Sequence, residues 1–341
     1  MILIITDRQR DGHAECVITK LRDRGTNPVV FDYGWFPAQA QLSLSCTAQG
    51  RARFMVRTGQ DTIDLTDINV VWLRRPTAPV AHTDIQDDRM RRAIQIDCRN
   101  FLYDLCDALP CLWVPGSPTV VSRTQHKVAQ LQLASALGFE VPPTLITNCP
   151  ADFLEFYRQH NGHIVSKTAV VSAFQLLDST LSRYTEVVSK RDVGYAHSIR
   201  YCPMLFQAYV PKRVELRITV VGQQVFAAEI HSQQTNHTRH DWRRYDLAET
   251  PHYPHVLPPE VTQRCLRLVQ ALGLCYGAID MVVTPDDRYV FLEINPSGQY
   301  LWIEQLTGLP ITDALCDLLI AGTHASKPQG HHVVSLAGGL L

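Results

Sequence analysis

The sequence predicts a mixed α/β protein of more than one domain. Three observations predict it. The chain opens with a β-α-β pattern over its first 32 residues. Two hairpins of strand-like residues follow at 214–230 and 277–295. Amphipathic helical stretches separate them. At 341 residues the chain is long enough for two or three domains with real cores.

Ile2 to Thr6 read as a buried strand, Gly12 to Arg24 as a helix and Pro28 to Asp32 as a second strand, a start of the doubly wound kind. The first turn, TDRQRDGH, has no GxGxxG, so the dinucleotide fingerprint is absent. Strands follow around 42–47 and 52–57 and at Val70 to Leu73, and Pro76 ends the last of them. Apolar residues at 94, 98, 101/102, 105 and 109 make Arg91 to Leu109 an amphipathic helix. A first domain closes near Val114-Pro115-Gly116.

Ser122-Arg-Thr-Gln125 has capping-box spacing before a helix that runs to Leu137 and stops at Gly138, with Lys127 in its first turns. Val141 to Thr147 read as extended. Asn148 suits the cap of the next helix, with Pro150 in its first turn. His163 to Lys167 form a short strand. Residues 178–200 are polar and poorly patterned, and read as a lid or peripheral insertion. Leu205 to Val210 read as a strand running into Pro211-Lys212. Val214 to Val221, Gly222-Gln223 and Gln224 to Ile230 make a hairpin.

Residues 231–257 are rich in His, Arg, Thr, Asn and Asp, more like a functional loop than a plain connection. Pro259 starts a helix with Val261, Cys265, Leu268 and Leu272 on its apolar face and Gly273 as its stop. After the second hairpin comes a helix from about 310 to 320, and the tail from Gly322 reads as loosely ordered. The expected domains are 1–115, 116–204, 205–322 and a tail over 323–341.

The formal net charge of −1 argues against nucleic acid as the main partner. The basic residues are 26 Arg and only 6 Lys, so each lysine carries information. Ten dispersed cysteines include no CxxC pair, the usage of a reduced cytosolic protein. The apolar start is too short for a signal or membrane segment, so no membrane partner is expected. Fourteen histidines include no HExxH, and neither GxSxG nor a Walker A loop occurs, which disfavours a zinc enzyme, that type of serine hydrolase and a P-loop nucleotidase.

The second hairpin is the chemical centre of the sequence. Closing its turn on Asp286-Asp287 sets Pro285 against Arg288, and counting outward sets Asp280 opposite Glu293. Asn295 lies two residues further on the same face. Facing carboxylates destabilise a ladder unless a cation lies between them. Asp, Glu and Asn suit Mg2+ that also holds nucleotide phosphates. The alternative is an exposed hairpin with scattered acids, but Glu293 is bracketed by Phe291, Leu292 and Ile294.

Other candidates gather around it. Lys167 sits in the strand HIVSKTA, where a lysine either snorkels out or meets an anion. Lys127, on a helix, reads first as a solvated surface lysine, and Lys212, after a proline at a strand junction, also fits plain exposure. Glu215 and Arg217, two apart, point to one face. They are an intra-strand ion pair or, beside a metal hairpin, a ribose-binding carboxylate and a phosphate-binding guanidinium. Asp241-Trp242-Arg243-Arg244-Tyr245 places arginines in the polar loop, where they suit an anionic intermediate or an acidic peptide. Arg74 and Arg75 point to opposite faces if their strand continues.

The order of these parts resembles the ATP-grasp ligases. It runs from a β-α-β pre-domain through a helix lysine, a strand lysine, an apolar strand ending in a turn and an E-x-R strand to D…E-x-N. More closely, VWLRRP (71–76), FQAYVPKRVELRITVVG (206–222), DWR (241–243) and GAIDMVV…FLEINPSGQYLWIE (277–304) resemble the microviridin-type, or graspetide, peptide macrocyclases. The resemblance covers most of the chain, leaving out 178–200 and the tail.

It implies an ATP-grasp fold: the N-terminal β-α-β pre-domain, then two α+β subdomains that clasp ATP. It further implies that Lys127 and Lys167 hold nucleotide phosphates, that Gln207, Ala208, Tyr209 and Val210 line the adenine pocket, and that Glu215 contacts the ribose. Asp280, Glu293 and Asn295 would bind Mg2+, and Arg217 and Arg243 would stabilise the transferred phosphoryl group. The family activates Asp or Glu side chains of a ribosomally made precursor peptide, whose core carries Thr, Ser, Asp and Glu. A Ser/Thr hydroxyl or Lys amine then attacks, giving ester or amide rings. A homodimer is expected from the family. Leader and substrate contacts are expected at Arg183, Glu186, Arg191 and Asp192, with Arg74, Arg75 and Lys212 as further candidates.

One departure is that the segment after the strand lysine, Thr168 to Phe174, has no glycine to cover the phosphates. Two other functions fit less of the sequence. One is a ligase that joins a free amino acid to a peptide or small acid. The other is a non-catalytic nucleotide-binding protein.

Overall fold

The computed structural model describes residues 1–7, 10–49, 52–59, 61–167, 173–176, 179–182, 185–234 and 250–324. Arg183, the stretch Asp241 to Tyr245 with Arg243, residues 168–172 and the tail from 325 lie outside the described residues. The chain forms two compact units, Met1–Val121 with the chain from Thr312, and Ser122–Ile311.

In the first unit, β1 (Ile2–Thr6) leads through α1 (Gly12–Asp23) to β2 (Val29–Phe31). A separate antiparallel sheet follows, made of β3 (Ala40–Cys46), β4 (Ala52–Thr58) and β5 (Asp61–Asp64). The sequence reading left β5 unassigned; its four residues become a strand by pairing with β4. β6 (Val70–Arg75), α2 (Asp88–Ala108), β7 (Leu112–Val114) and α3 (Pro118–Thr124) complete this part. The main sheet is parallel, in the order β2-β1-β6-β7. Helix α2 starts before the expected Arg91, since Asp87 caps it by accepting from the N–H groups of Arg89 and Met90. Leu3, Ile5, Val71, Leu73, Leu102 and Leu105 share one core.

The second unit begins with α4 (Lys127–Ala136), β8 (Thr144–Thr147), α5 (Pro150–Gln159) and β9 (Ile164–Lys167). The expected capping box at Ser122 does not form. The chain breaks between α3 and α4, and His126 occupies the N-cap without a side-chain bond. Cys149, not Asn148, is the N-cap of α5, and its N–H is held by Thr147 Oγ1 at 2.9 Å. β10 (Ala173–Leu176) and β11 (Ser179–Ser182) pair as a hairpin. β12 (Glu186–Val187), α6 (Lys190–Val193) and β13 (Met204–Ala208) follow.

The described part of 178–200 is therefore not an unpatterned insertion. β12 pairs with β9, and Val188, Ala196 and Ile199 join Phe153, Ile164 and Phe206 in a core. The reading missed this because the apolar residues are few and irregularly spaced. The sheet they complete runs β12-β9-β13-β8.

A five-stranded antiparallel sheet, ordered β16-β15-β14-β17-β18, closes the unit. It contains β14 (Val214–Val221), β15 (Gln224–Ile230), β16 (His252–His255), β17 (Tyr276–Val283) and β18 (Tyr289–Asn295), with α7 (Pro259–Ala271) between β16 and β17. Every residue of β14 and β17 is buried. Helix α7 buries Val261, Cys265, Leu268 and Val269 rather than Leu272. A short helix absent from the sequence reading, α8 (Leu301–Thr307), ends at Gly308 with φ 73°. The last helix, α9 (Ile311–His324), groups from Thr312 with the first unit instead of the expected 205–322 segment. Asp313 accepts from Lys20 Nζ at 2.8 Å and Asp317 from Arg24 at 2.6 Å, which ties α9 to α1.

Candidate active site

Alternation along β14 sends Glu215, Arg217 and Thr219 to one face. The ladder continues that face across the sheet. Ala228, Arg217, Asp280 and Glu293 stand in one row over four strands. Asn295 faces Ala278 in the adjoining row.

The row forms by a route that differs from simple counting. Thr284 and Arg288 close the turn through Thr284 N–H to Arg288 O at 3.0 Å, and Asp287 takes φ 61°. Val283 therefore faces Tyr289, one residue off the expected register. A bulge between Asp280 and Met281 absorbs the difference, so Asp280 still faces Glu293. Bulges re-aim side chains in this way at functional sites.

Each carboxylate on this face pairs with a cation. Arg217 Nη1 donates to Asp280 Oδ1 at 2.8 Å, and both side chains are buried. Lys127, the first residue of α4, pairs with Glu293, and Lys212 pairs with Glu215. Arg217 Nη2 also donates to the carbonyl of Gln299 at 3.1 Å. Gly298 makes room for this geometry. A Cβ there would lie 2.3 Å from Ala278 Cβ and 2.7 Å from Arg217 Nη2.

Glu215, Asp280 and Glu293 from this face border a cleft. Lys167, Gln207, Ala208, Tyr209, Val210, Lys212, Glu215, Asp280 and Glu293 all border it. Val165, Met281 and Leu292 supply apolar walls that suit a flat base. Gln207 is buried, its amide donating to Thr144 Oγ1 at 3.0 Å. The N–H groups of Ala208 and Tyr209 are already bonded to the carbonyls of Pro143 and His163, both at 2.9 Å. A base reading the backbone here must use other groups of the 207–210 segment.

The donor set fits a hard divalent cation. Asp280 and Glu293 offer carboxylate oxygens, and exposed Asn295 an amide oxygen that accepts from Ser297 N–H at 3.0 Å. Among the described residues no three His, Cys, Asp or Glu stand in metal-holding geometry. A set of two carboxylates and an amide leaves positions for phosphate oxygens and water, as Mg2+ requires.

Arg74 and Arg75 share a bulge of β6 opposite Thr6, which buries Arg74 and leaves Arg75 exposed. Arg74 Nε lies 3.1 Å from Asp11 Oδ2, and His13 Nδ1 lies 3.2 Å from Asp11 Oδ1. Burial works to raise the Asp11 pKa, but His13 and the Arg74 charge outweigh it and hold the group below its ordinary value. Asp192 accepts from Ser189 N–H at 2.8 Å and so closes the capping box of α6. Glu186 and Arg191 are exposed.

Two residues of the site escaped the sequence reading. Gly298 was read only as part of a motif. Gln130 lies three residues after Lys127 and one turn along the same helix face, a spacing that would have found it.

Comparison with known proteins gives this site its context. Residues 1–119 match the model of the MvdD pre-ATP grasp domain, and residues 124–319 match that of the RimK-like ATP-grasp domain. Macrocyclase MdnC of Microcystis aeruginosa MRC, solved with precursor peptide MdnA, is 31% identical. That match covers 94% of this chain and 99% of MdnC, with a TM-score of 0.83. A RiPP-associated ATP-grasp ligase of Chryseobacterium gregarium, solved with ADP and a leader and core peptide, is also 31% identical. It covers 96% of this chain and 97% of the other, with a TM-score of 0.86. A probable alpha-L-glutamate ligase of Stutzerimonas stutzeri (strain A1501) is 22% identical over 62% of this chain and 68% of its own length. With this fold and these matches, the chain belongs to the RimK-like ATP-grasp ligases, in the family of the microviridin-type peptide macrocyclases.

Proposed function

We propose that this ligase is an ATP-dependent macrocyclase of a ribosomally made precursor peptide. The observation that carries the reading is the Arg217–Asp280–Glu293 row, joined by Lys127, whose two carboxylates border a cleft shared with Lys167 and the 207–210 segment. A free carboxylate does not acylate a hydroxyl, so it must first be activated. A carboxylate oxygen of a core Asp or Glu attacks the γ-phosphorus of ATP, and ADP leaves. A Ser or Thr oxygen, or a Lys nitrogen, then attacks the acyl carbon. Phosphate departs with the original carboxylate oxygen, and the nucleophile's proton passes to phosphate or water.

Charge neutralisation and positioning dominate this chemistry, with no protein nucleophile required. Lys127 and Lys167 hold the phosphates. Val165 and Leu292, with the segment 207–210, enclose the base, and Glu215 meets the ribose. Arg217 steadies the transferred phosphoryl group, with Arg243 from the polar loop as its partner. Mg2+ on Asp280, Glu293 and Asn295, when bound, neutralises charge on the phosphates.

The precursor brings a leader and a core with Thr, Ser, Asp and Glu. We assign leader and core contacts to Arg183, Glu186, Arg191, Asp192 and Lys212, with exposed Arg75 as a further candidate; Arg74, buried beside Asp11, is left out. Asp192 already caps α6, so its share is the least direct. The working form is a homodimer in the cytoplasm. No described helix is long and apolar enough to cross a membrane.

Purified protein, ATP, Mg2+ and a candidate precursor test this by intact mass. The expected result is a loss of about 18 Da per ring with ADP formed, since activation expels one carboxylate oxygen with phosphate. Mild base then separates esters, which open, from amides. The similarity to a probable alpha-L-glutamate ligase supports a second reading, ligation of a free amino acid. An unchanged precursor, with ADP formed only when an amino acid is added, would establish that instead.

A further inference from the structure

Gln130 is a buried side chain of α4, one turn after Lys127 and 1% exposed. Its Oε1 accepts from the N–H of Ile294 at 3.1 Å. Its Nε2 donates to the carbonyl of Ile294 at 2.9 Å and to that of Thr124 at 2.5 Å. The two bonds to Ile294 use the carboxamide as a peptide group is used in a ladder, one acceptor and one donor on the same residue.

The place where they land is specific. β18 is the edge strand of its sheet, and Ile294 lies between Glu293 and Asn295. Just before it, the ladder to β17 is interrupted by the bulge. An edge strand beside a bulge has weak control of its peptide planes. Gln130 supplies that control from the outer side and fixes the backbone that carries both side chains. The same helix carries Lys127, which pairs with Glu293. One helix face thus holds the carboxylate by its charge and the backbone of that strand by an amide.

A core glutamine that merely satisfies its own polar atoms would need only some buried donor and acceptor. Here both Ile294 bonds fall on the single residue between two candidate ligands. We propose that Gln130 is a positioning residue that sets Glu293 and Asn295 for the divalent cation. This rests on the metal reading of those two residues given above. Outer residues that orient metal ligands commonly change metal affinity by about 10–100-fold when replaced.

The test uses the full chain with ADP and Mn2+ as a paramagnetic probe for the cation, read by electron paramagnetic resonance. Hydrogen exchange over the peptide containing Ile294 and the melting temperature are measured alongside. Gln130→Met keeps the length and removes the amide. The expected result is Mn2+ affinity weakened about 10–100-fold, with faster exchange at Ile294. Gln130→Glu retains an acceptor for the Ile294 N–H. It is expected to be more stable than Gln130→Met yet weakened in Mn2+ affinity, because the donor to Ile294 O is lost.

A lower melting temperature with wild-type Mn2+ affinity, in either folded variant, would overturn the positioning role and leave the metal reading intact. If Gln130→Met does not fold, Gln130→Glu decides alone on the same readout. Wild-type protein that binds Mn2+ and ADP no differently from Glu293→Gln would instead sink the metal reading itself.

Discussion

Lys127 and Glu293, 166 residues apart in sequence, form an ion pair on the wall of the candidate site. The pair joins the first residue of α4 to the carboxylate that faces Asp280. It brings a proposed phosphate lysine and a proposed metal ligand into one contact before any nucleotide is considered.

Glu293→Gln removes the charge that would hold the cation and leaves the side-chain volume nearly unchanged. The variant is expected to fold normally by circular dichroism and to keep about 1% or less of wild-type peptide modification, the scale of losing one preorganised electrostatic contact. Undiminished modification by a folded variant would count against Glu293 as a metal ligand.

Arg217 and Asp280 form a buried pair, so removing one charge strands the other. Arg217→Met is expected to destabilise the protein by about 3–5 kcal/mol in urea unfolding. Mg2+ with ADP should return part of that stability, because a cation on Asp280 replaces the missing guanidinium. A variant with wild-type stability, or one indifferent to Mg2+ and ADP, would show that Asp280 does not depend on a cation.

Gly298 leaves no space for a side chain between Ala278 and Arg217. Gly298→Ala should cost about 1–3 kcal/mol in stability, the usual range for overpacking. It should lower kcat more than KM for the peptide, since the displaced group is Arg217. Unchanged kcat would mean that the Arg217 position is not critical to turnover.

Stability should fall on mild acidification. Burial lowers the pKa of His13 and of His252, which lies edge-on to Trp302 at 5.4 Å, below the ordinary 6.5. The unfolded chain therefore takes up protons first as pH drops. The contribution of both groups is complete above 6.5 and is lost as pH falls through their lowered values. Melting temperatures measured from about pH 8 to 5 should show this decline, and His252→Phe should make it shallower. A variant with the wild-type slope would remove His252 from the account.

The hairpins were legible in the sequence because their patterns are local. The polar break at Gly222-Gln223 bounded β14 and β15 correctly, and the polar run from Thr284 to Arg288 separated β17 from β18. The Asp280–Glu293 pairing was also legible, although the turn and the bulge that produce it were not. Two one-residue offsets cancel there, and neither leaves a mark in residue type. β5 was missed because a four-residue strand with acidic ends becomes a strand only by pairing with β4.

Sequence alone determined which residue types could carry the chemistry, their order along the chain and the alternation that puts Glu215 with Arg217. These follow from backbone periodicity, which is set within a few residues. Tertiary structure decided the partners. It put Lys127 on Glu293, Arg217 on Asp280, Gln130 on the backbone of Ile294 and Gly298 against Arg217. Such contacts join residues tens to more than a hundred positions apart. They are selected by packing and by the need to satisfy buried charge, which no local pattern encodes.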